Sequence, residues 1–304
     1  MKTQASRILG ILVMVGVLLT PSSASFDQLG GVLSKVKKTA DDAKKVVEVG
    51  QKLRSGFAEI TEEEEYYIGR SVAAMILSKY PVYQNAPLNQ YVNLVGNAVT
   101  VYSDRPEIYA GYHFQVLDTE EVNALAAPGG LIFVSKGLLR RCQDEEMLGL
   151  ILAHEIGHVA AKHGLQAIKK SRLTEVFTSL GIQAAQQFGP QELAQLTTMF
   201  EGVLSDIVEQ LVERGYSRAS EYEADGLAVT YGIRTGFDPK GIVRFLQTMV
   251  GDKSAASGKG WFKTHPTPEQ RIAGLNKQIA AFGEGPQIED ARTKRFQQVF
   301  SGLK

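Results

Sequence analysis

Ile151-Leu-Ala-His154-Glu155-Ile-Gly-His158-Val-Ala-Ala161 is the stretch on which the reading of the whole chain turns. Two histidines stand four apart, and a glutamate directly follows the first. On an α-helix, residues i and i+4 share a face one turn apart. His154 and His158 can therefore offer imidazole nitrogens to a single metal ion. Glu155 lies about 100° round the helix from His154. It is badly placed as a third ligand and well placed to take a proton from a water that the metal activates. That division of labour belongs to a zinc peptidase, with two histidine ligands and a glutamate as general base. The apolar frame of Leu148, Leu150, Ile151, Leu152, Ile156 and Val159 predicts that this helix is buried.

A catalytic zinc takes three protein ligands and keeps a fourth position open. His163 lies five residues after His158, roughly 140° round the helix. It is expected to point elsewhere, as a helix-end residue near the negative pole of the dipole. The long zincin pattern needs a glycine and a third histidine where this chain has Ala161 and Gly164, so that pattern is absent. The better candidate is Glu221, in Ser217-Arg-Ala-Ser-Glu221-Tyr-Glu223-Ala-Asp225. Glu221 and Asp225 are an i, i+4 pair. One carboxylate can bind the metal, and the other can accept the free N–H of a metal-bound histidine. Glu223 points to the opposite side of that helix, as a solvated or structural acid.

The 304 residues are 44% hydrophobic and 22% charged, an ordinary globular composition, and the formal net charge of zero offers no basic face for nucleic acid. Lys2 and Arg7, the uncharged apolar run from Ile8 to Leu19, and Pro21-Ser-Ser-Ala24 read as a secretory signal peptide over residues 1–24. No cysteine follows that run to carry a lipid anchor. No later apolar stretch is long enough to span a bilayer. The localisation expected is therefore the periplasm. Cys142 is the lone cysteine, so there is no internal disulfide, and it reads as an apolar filler.

The expected fold class is α+β, mainly α, with a small sheet or hairpin before the two-histidine helix. Residues 25–60 read as an amphipathic helical arm, 61–283 as the catalytic domain and 284–304 as a short polar tail, loosely held. Within the domain, Thr61-Glu-Glu-Glu64 opens a helix to about Ser78. A second helix covers Leu88 to about Val101, and His113–Leu117 alternates as a strand. Residues 122–135 read as a hairpin turning at Pro128-Gly129-Gly130. Asp144-Glu-Glu starts the histidine helix, and Gly164 ends it. Residues 165–188 and 191–233 form long helical patterns broken at Gly189-Pro190. A further helix follows Asp238-Pro239, 251–260 is a Gly/Ser/Ala/Lys loop, and Thr267-Pro-Glu-Gln270 opens the last helix.

Four ordered motifs carry a resemblance: His154-Glu-Ile-Gly-His-Val-Ala-Ala-Lys-His163, Ser217-Arg-x-x-Glu-x-Glu-Ala-Asp225, Asn123-Ala-Leu-Ala-Ala-Pro-Gly-Gly-Leu-Ile-Phe-Val134, and Thr264-His-Pro-Thr-Pro-Glu-Gln-Arg271. Over about residues 60–280 the chain resembles the HtpX/Ste-type zinc metallopeptidase family. It looks most like the family's soluble periplasmic BepA-like members, with the expectation that their tetratricopeptide domain is missing here. The resemblance implies a zincin-like domain holding one Zn2+ per chain through His154, His158 and Glu221, with Glu155 as base and Asp225 behind a ligand. It implies extended or unfolded polypeptides of the envelope as substrates and quality control of misfolded or misassembled proteins as the role. A peripheral association with the envelope fits that role, and no feature fixes the oligomeric state. The rival from another class is a chaperone-like assembly factor with latent protease activity.

Two expectations concern the substrate side. The strand after Gly130, with Asn123, Gly130, Leu131 and Ile132, is expected to be an edge that grips an extended peptide by β-augmentation. His265 has a bland reading, as a residue beside Pro266 at the start of a helix, and two functional ones. It either stabilises the oxyanion with help from Arg271, or binds zinc as a fourth ligand and leaves the resting enzyme latent.

Overall fold

The structure is a computed structural model that describes residues 60–166, 205, 208–251, 264–282 and 290–303. The chain divides into two compact units, and Met1–Ala58 with Thr178–Phe188 lies wholly outside the described residues. The expected leader and arm, the helical patterns from 167 to 204 and the 252–263 segment also lie outside them. Everything below belongs to the second unit, Glu59–Phe177 with Gly189–Lys304.

Helix α1 spans Glu62–Lys79 and α2 spans Ala86–Thr100. Asn85 caps α2 by accepting from Leu88 N at 3.1 Å, and a proline follows in the first turn, where its missing N–H costs nothing. The sheet comprises β1 (His113–Leu117), β2 (Ala124–Ala127) and β3 (Leu131–Ser135). Its order is β1-β3-β2, with β3 parallel to β1 and antiparallel to β2. The hairpin turns at Pro128–Gly130, where both glycines have positive φ.

That order corrects the expectation for the substrate strand. β3, with Leu131 and Ile132, is paired on both sides, because β1 arrives first in the chain and occupies its far flank. β1 and β2 are the outer strands: Leu117 of β1 bridges to Val82, and β2 takes the Tyr216 hydroxyl on Ala126 O. All four β2 residues have β3 partners, Ala124 with Val134, Leu125 with Phe133, Ala126 with Ile132 and Ala127 with Leu131. Ala126 O accepts from the Tyr216 hydroxyl at 3.4 Å, and Ala124 N donates to Asn123 Oδ1 at 3.0 Å.

Both faces of the sheet are covered. Leu125, Ala127 and Phe133 pack with Ile68, Val72 and Ile76 of α1. Ala124, Ala126, Ile132 and Val134 pack into the main core with α2 and the histidine helix. Two buried faces explain why β2 and β3 are continuous apolar runs, while β1 alternates.

A single turn, α3 (Lys136–Leu139), leads to α4 (Glu145–Ala160), which carries both histidines. Asp144 caps α4 by accepting from Met147 N at 2.8 Å, and Glu145 and Glu146 fill its positive first turn. Every residue from Glu145 to Val159 is buried, as a helix apolar all round demands. The helix does not run to Gly164. Lys162 reverses the chain with φ 56, and a one-turn helix α5 (His163–Gln166) begins at once.

The pattern over 191–233 is also interrupted. A π-turn at Gln210–Arg214 ends in Gly215, whose φ of 70 no β-carbon would tolerate against Thr264 O, which would lie 1.8 Å away. Ser217 then caps a new helix, α6 (Arg218–Thr235), by accepting from Ser220 N. α6 packs along α4. Short α7 (Lys240–Gln247) and α8 (Pro268–Phe282) follow.

The expected loose tail is instead a helix, α9 (Asp290–Phe300), with Phe296, Phe300 and Leu303 buried in the main core. Arg295 grips Glu145, and Arg292 donates to Glu146 Oε1 at 3.0 Å, tying the C-terminus to the start of α4. The described residues are thus mainly helical around one three-stranded sheet, and no helix among them is long and apolar enough to cross a membrane.

Candidate active site

The first two donors come from one face of α4. His154 Nε2 and His158 Nε2 stand 3.1 Å apart, both rings sealed in the core. α6 supplies the third. Gly157 lies between the histidines, and a β-carbon there would sit 3.4 Å from Ala224 Cα, so the two backbones approach closely. This brings Glu221 opposite the rings. Its Oε2 is 3.6 Å from His154 Nε2, and its Oε1 is 3.6 Å from His158 Nε2.

His265, just before α8, adds a fourth group, with Nδ1 2.6 Å from Glu221 Oε2. One donor atom from each of His154, His158, Glu221 and His265 lies within 4.8 Å of all the others. Donors about 2.0–2.1 Å from a shared tetrahedral centre lie roughly 3.4 Å from one another. The 3.1 and 3.6 Å spacings among His154, His158 and Glu221 fit that, while the 2.6 Å contact of His265 is a hydrogen-bond distance. Glu221 Oε1 and Glu155 Oε1 are buried without a hydrogen-bond partner, as suits groups that would face a cation and its water. Two or three imidazoles and a carboxylate suit zinc.

Behind His154, Asp225 Oδ1 lies 3.1 Å from Nδ1 and accepts its proton. Arg271 holds Asp225 with two bonds, Nε to Oδ2 at 3.0 Å and Nη2 to Oδ1 at 2.6 Å. Burial alone would raise the Asp225 carboxyl, but Arg271 overrides it and depresses the value to about 2. This fixes the place of Arg271. Its Nε and Nη2 bond Asp225, and Nη2 lies 3.3 Å from His154 Nδ1, the side of that ring away from the donor nitrogen. Two of its nitrogens thus face Asp225, whereas His265 stands among the donors.

Glu155 is buried, and burial pushes its carboxyl up to about 7, with Glu221 adding to the rise against His154 and Arg271. A base with a value near neutrality can both take and return a proton at physiological pH. The Glu221 carboxyl is held well below the usual range. Burial opposes this, but His265, His154 and His158 outweigh it.

Of the expected substrate strand, Asn123 borders the outer strand β2, while Gly130, Leu131 and Ile132 lie in the turn and the central strand. Two residues that bear on the site were missed. The Tyr216 ring stacks on His158 at 4.4 Å and 23°, with its hydroxyl at the β2 edge. His163 does not point elsewhere: its Nδ1 is 2.8 Å from His158 Nδ1, and its Nε2 is 3.3 Å from Glu223 Oε2. The rotation of roughly 140° assumed that the helix continued, and no glycine or asparagine at 162 signalled the reversal. For Tyr216, nothing in the local pattern pointed to β2.

The profile of Peptidase family M48 matches residues 87–279. The chain is 26% identical over 228 residues to the beta-barrel assembly-enhancing protease of Yersinia pestis, covering 72% of this chain and 44% of that protein. It is 28% identical over 169 residues to metalloprotease YcaL of Escherichia coli, covering 56% and 63%. It is 27% identical over 167 residues to the mitochondrial metalloendopeptidase OMA1 of Bos taurus, covering 54% and 32%. The chain thus spans less than half the length of the Yersinia protein.

Proposed function

This chain belongs to peptidase family M48, and from that premise we propose that it is a zinc metalloendopeptidase of the bacterial envelope. Its substrates are extended segments of misfolded or misassembled proteins. One observation carries the reading: the donors of His154, His158 and Glu221 converge on a buried point with Glu155 next in the chain.

Zinc held by His154, His158 and Glu221 in a zincin-like domain would polarise the scissile carbonyl and make water a competent nucleophile. Glu155 takes the proton of the attacking water on its carboxylate and delivers it to the leaving amine. Asp225 keeps His154 in the tautomer that frees Nε2. β2 is an outer strand of the sheet, and an extended peptide pairing along it, a grip indifferent to side-chain sequence, would displace the Tyr216 hydroxyl from Ala126 O. The leader at residues 1–24 and the relatives named beta-barrel assembly-enhancing protease support a periplasmic site of action.

The test is metal content and casein hydrolysis by the full chain before and after chelation. Proteolysis should be lost on chelation and restored by zinc. A chain that holds no metal, or cuts equally well without it, overturns the reading. One observation favours a second reading, an assembly factor with a latent protease: His265 lies among the donors, where it would compete with water. Suppression of client aggregation by a Glu155→Gln variant as strong as by wild type would favour it.

A further inference from the structure

Each of the two α4 histidines must present Nε2 as a lone pair, so each must carry its proton on Nδ1. For His154 the acceptor is Asp225. For His158 the Nδ1 neighbour is another histidine nitrogen, His163 Nδ1 at 2.8 Å. At that distance a single proton lies between two ring nitrogens, and either ring can own it. If His163 owned it, His158 would protonate on Nε2 and lose its donor.

The far side of His163 decides the matter. His163 Nε2 faces Glu223 Oε2 at 3.3 Å, and an ionised carboxylate only accepts. Neutral His163 therefore carries its proton on Nε2, and its Nδ1 is an acceptor. His158 must then donate from Nδ1, which leaves its Nε2 free. We propose that His163 is a positioning residue for the ligand His158, with Glu223 setting its tautomer from the protein surface.

The backbone is bent to make this contact. Lys162 is the one non-glycine residue with positive φ among the described residues, a conformation that costs about 1–2 kcal/mol in an L-residue. The reversal there brings His163 back under α4, where it is buried with 2% exposure. Tyr216, stacked on His158, fixes the plane of that ring but offers no acceptor to its Nδ1. The two ligand histidines are thus held differently: His154 by a buried ion pair, His158 through a neutral ring to a carboxylate whose side chain is 60% exposed. This inference rests on the metallopeptidase reading and adds residues to it.

The test is zinc affinity of the full chain by competition with a chromophoric chelator, with the visible spectrum of the cobalt-loaded protein and the melting of the metal-free protein alongside. His163→Ala should weaken zinc by up to about 100-fold and alter the cobalt band, since lost partners of ligating histidines typically cost 10–100-fold. His163→Asn places an oxygen acceptor where Nδ1 was and should recover most of the affinity. Glu223→Ala should weaken zinc by about tenfold, the low end of that range. Wild-type affinity in His163→Ala overturns the inference alone. Equal loss in His163→Ala and His163→Asn, with equally lowered melting, assigns His163 to packing and also overturns it. Should His163→Ala not fold, unchanged affinity in the surface variant Glu223→Ala overturns it. A wild-type chain that takes up no metal overturns the metallopeptidase reading and this inference with it.

Discussion

Gly157 of α4 lies close against α6, where a β-carbon would sit 3.4 Å from Ala224 Cα and 3.2 Å from Leu227 Cβ, a fit with no room to spare beyond a methyl. This approach lets a carboxylate as short as Glu221 reach two imidazoles on the neighbouring helix. Gly157→Val should push α6 outward and withdraw Glu221. We expect overpacking to cost about 1–3 kcal/mol of stability, with zinc affinity reduced further than in a surface control. Chemical denaturation and chelator competition on the same variant check both. Wild-type affinity would show that the close approach does not position Glu221.

Glu155→Gln keeps the donors and removes the base. Its metal content should match wild type, while casein hydrolysis falls by about 10²–10⁴. Hydrolysis retained within about tenfold would exclude Glu155 as the base.

Glu221→Ala removes a donor at the centre of the group and should abolish stoichiometric zinc binding under chelator competition. Its neighbour on the other face, Glu223, reaches the metal only through His163, so Glu223→Ala should lose far less. The reverse order would mean that α6 is rotated from the orientation described.

His265 offers one donor to the four-residue group. His265→Ala should therefore raise turnover while loosening zinc, by about tenfold or more if the ring ligates. An oxyanion partner would instead cost roughly 10²–10³ in turnover with affinity unchanged. Measuring both on one variant separates the two.

The Asp225 carboxyl lies at about 2, below its unfolded value near 3.9, because Arg271 outweighs burial. Its stabilisation is therefore complete above about pH 4 and lost as pH falls through about 2. Arg271→Leu leaves the buried Asp225 carboxylate without its charge partner, with only His154 Nδ1 beside it, and should cost about 3–5 kcal/mol at neutral pH. The gap between variant and wild type should narrow as pH falls through about 2, where Asp225 of the wild type takes up its proton. Denaturation curves of the metal-free proteins across that range test it, and a gap independent of pH would place the loss in packing.

Part of this site could be read before any coordinates, because helix periodicity is local. His154 with His158, and Glu221 with Asp225, are i, i+4 pairs whose shared faces follow from 3.6 residues per turn, and the family pattern tied the two pairs together. Helix starts at Asp144 and Ser217 were legible for the same reason, since a cap acts within one turn. What the sequence could not determine depends on partners distant along the chain. An alternating strand does not say which neighbours flank it, so β3 was taken for an edge, whereas β1 and β2 are the outer strands. The polar 284–304 segment hides a helix whose few aromatics find a core only once α2 and α4 are assembled. Arg271 faces Asp225 because α8 packs on α6, a matter of tertiary approach. His163 joins the site because one lysine adopts a left-handed turn that its residue type disfavours, so only the packed structure could show that it does.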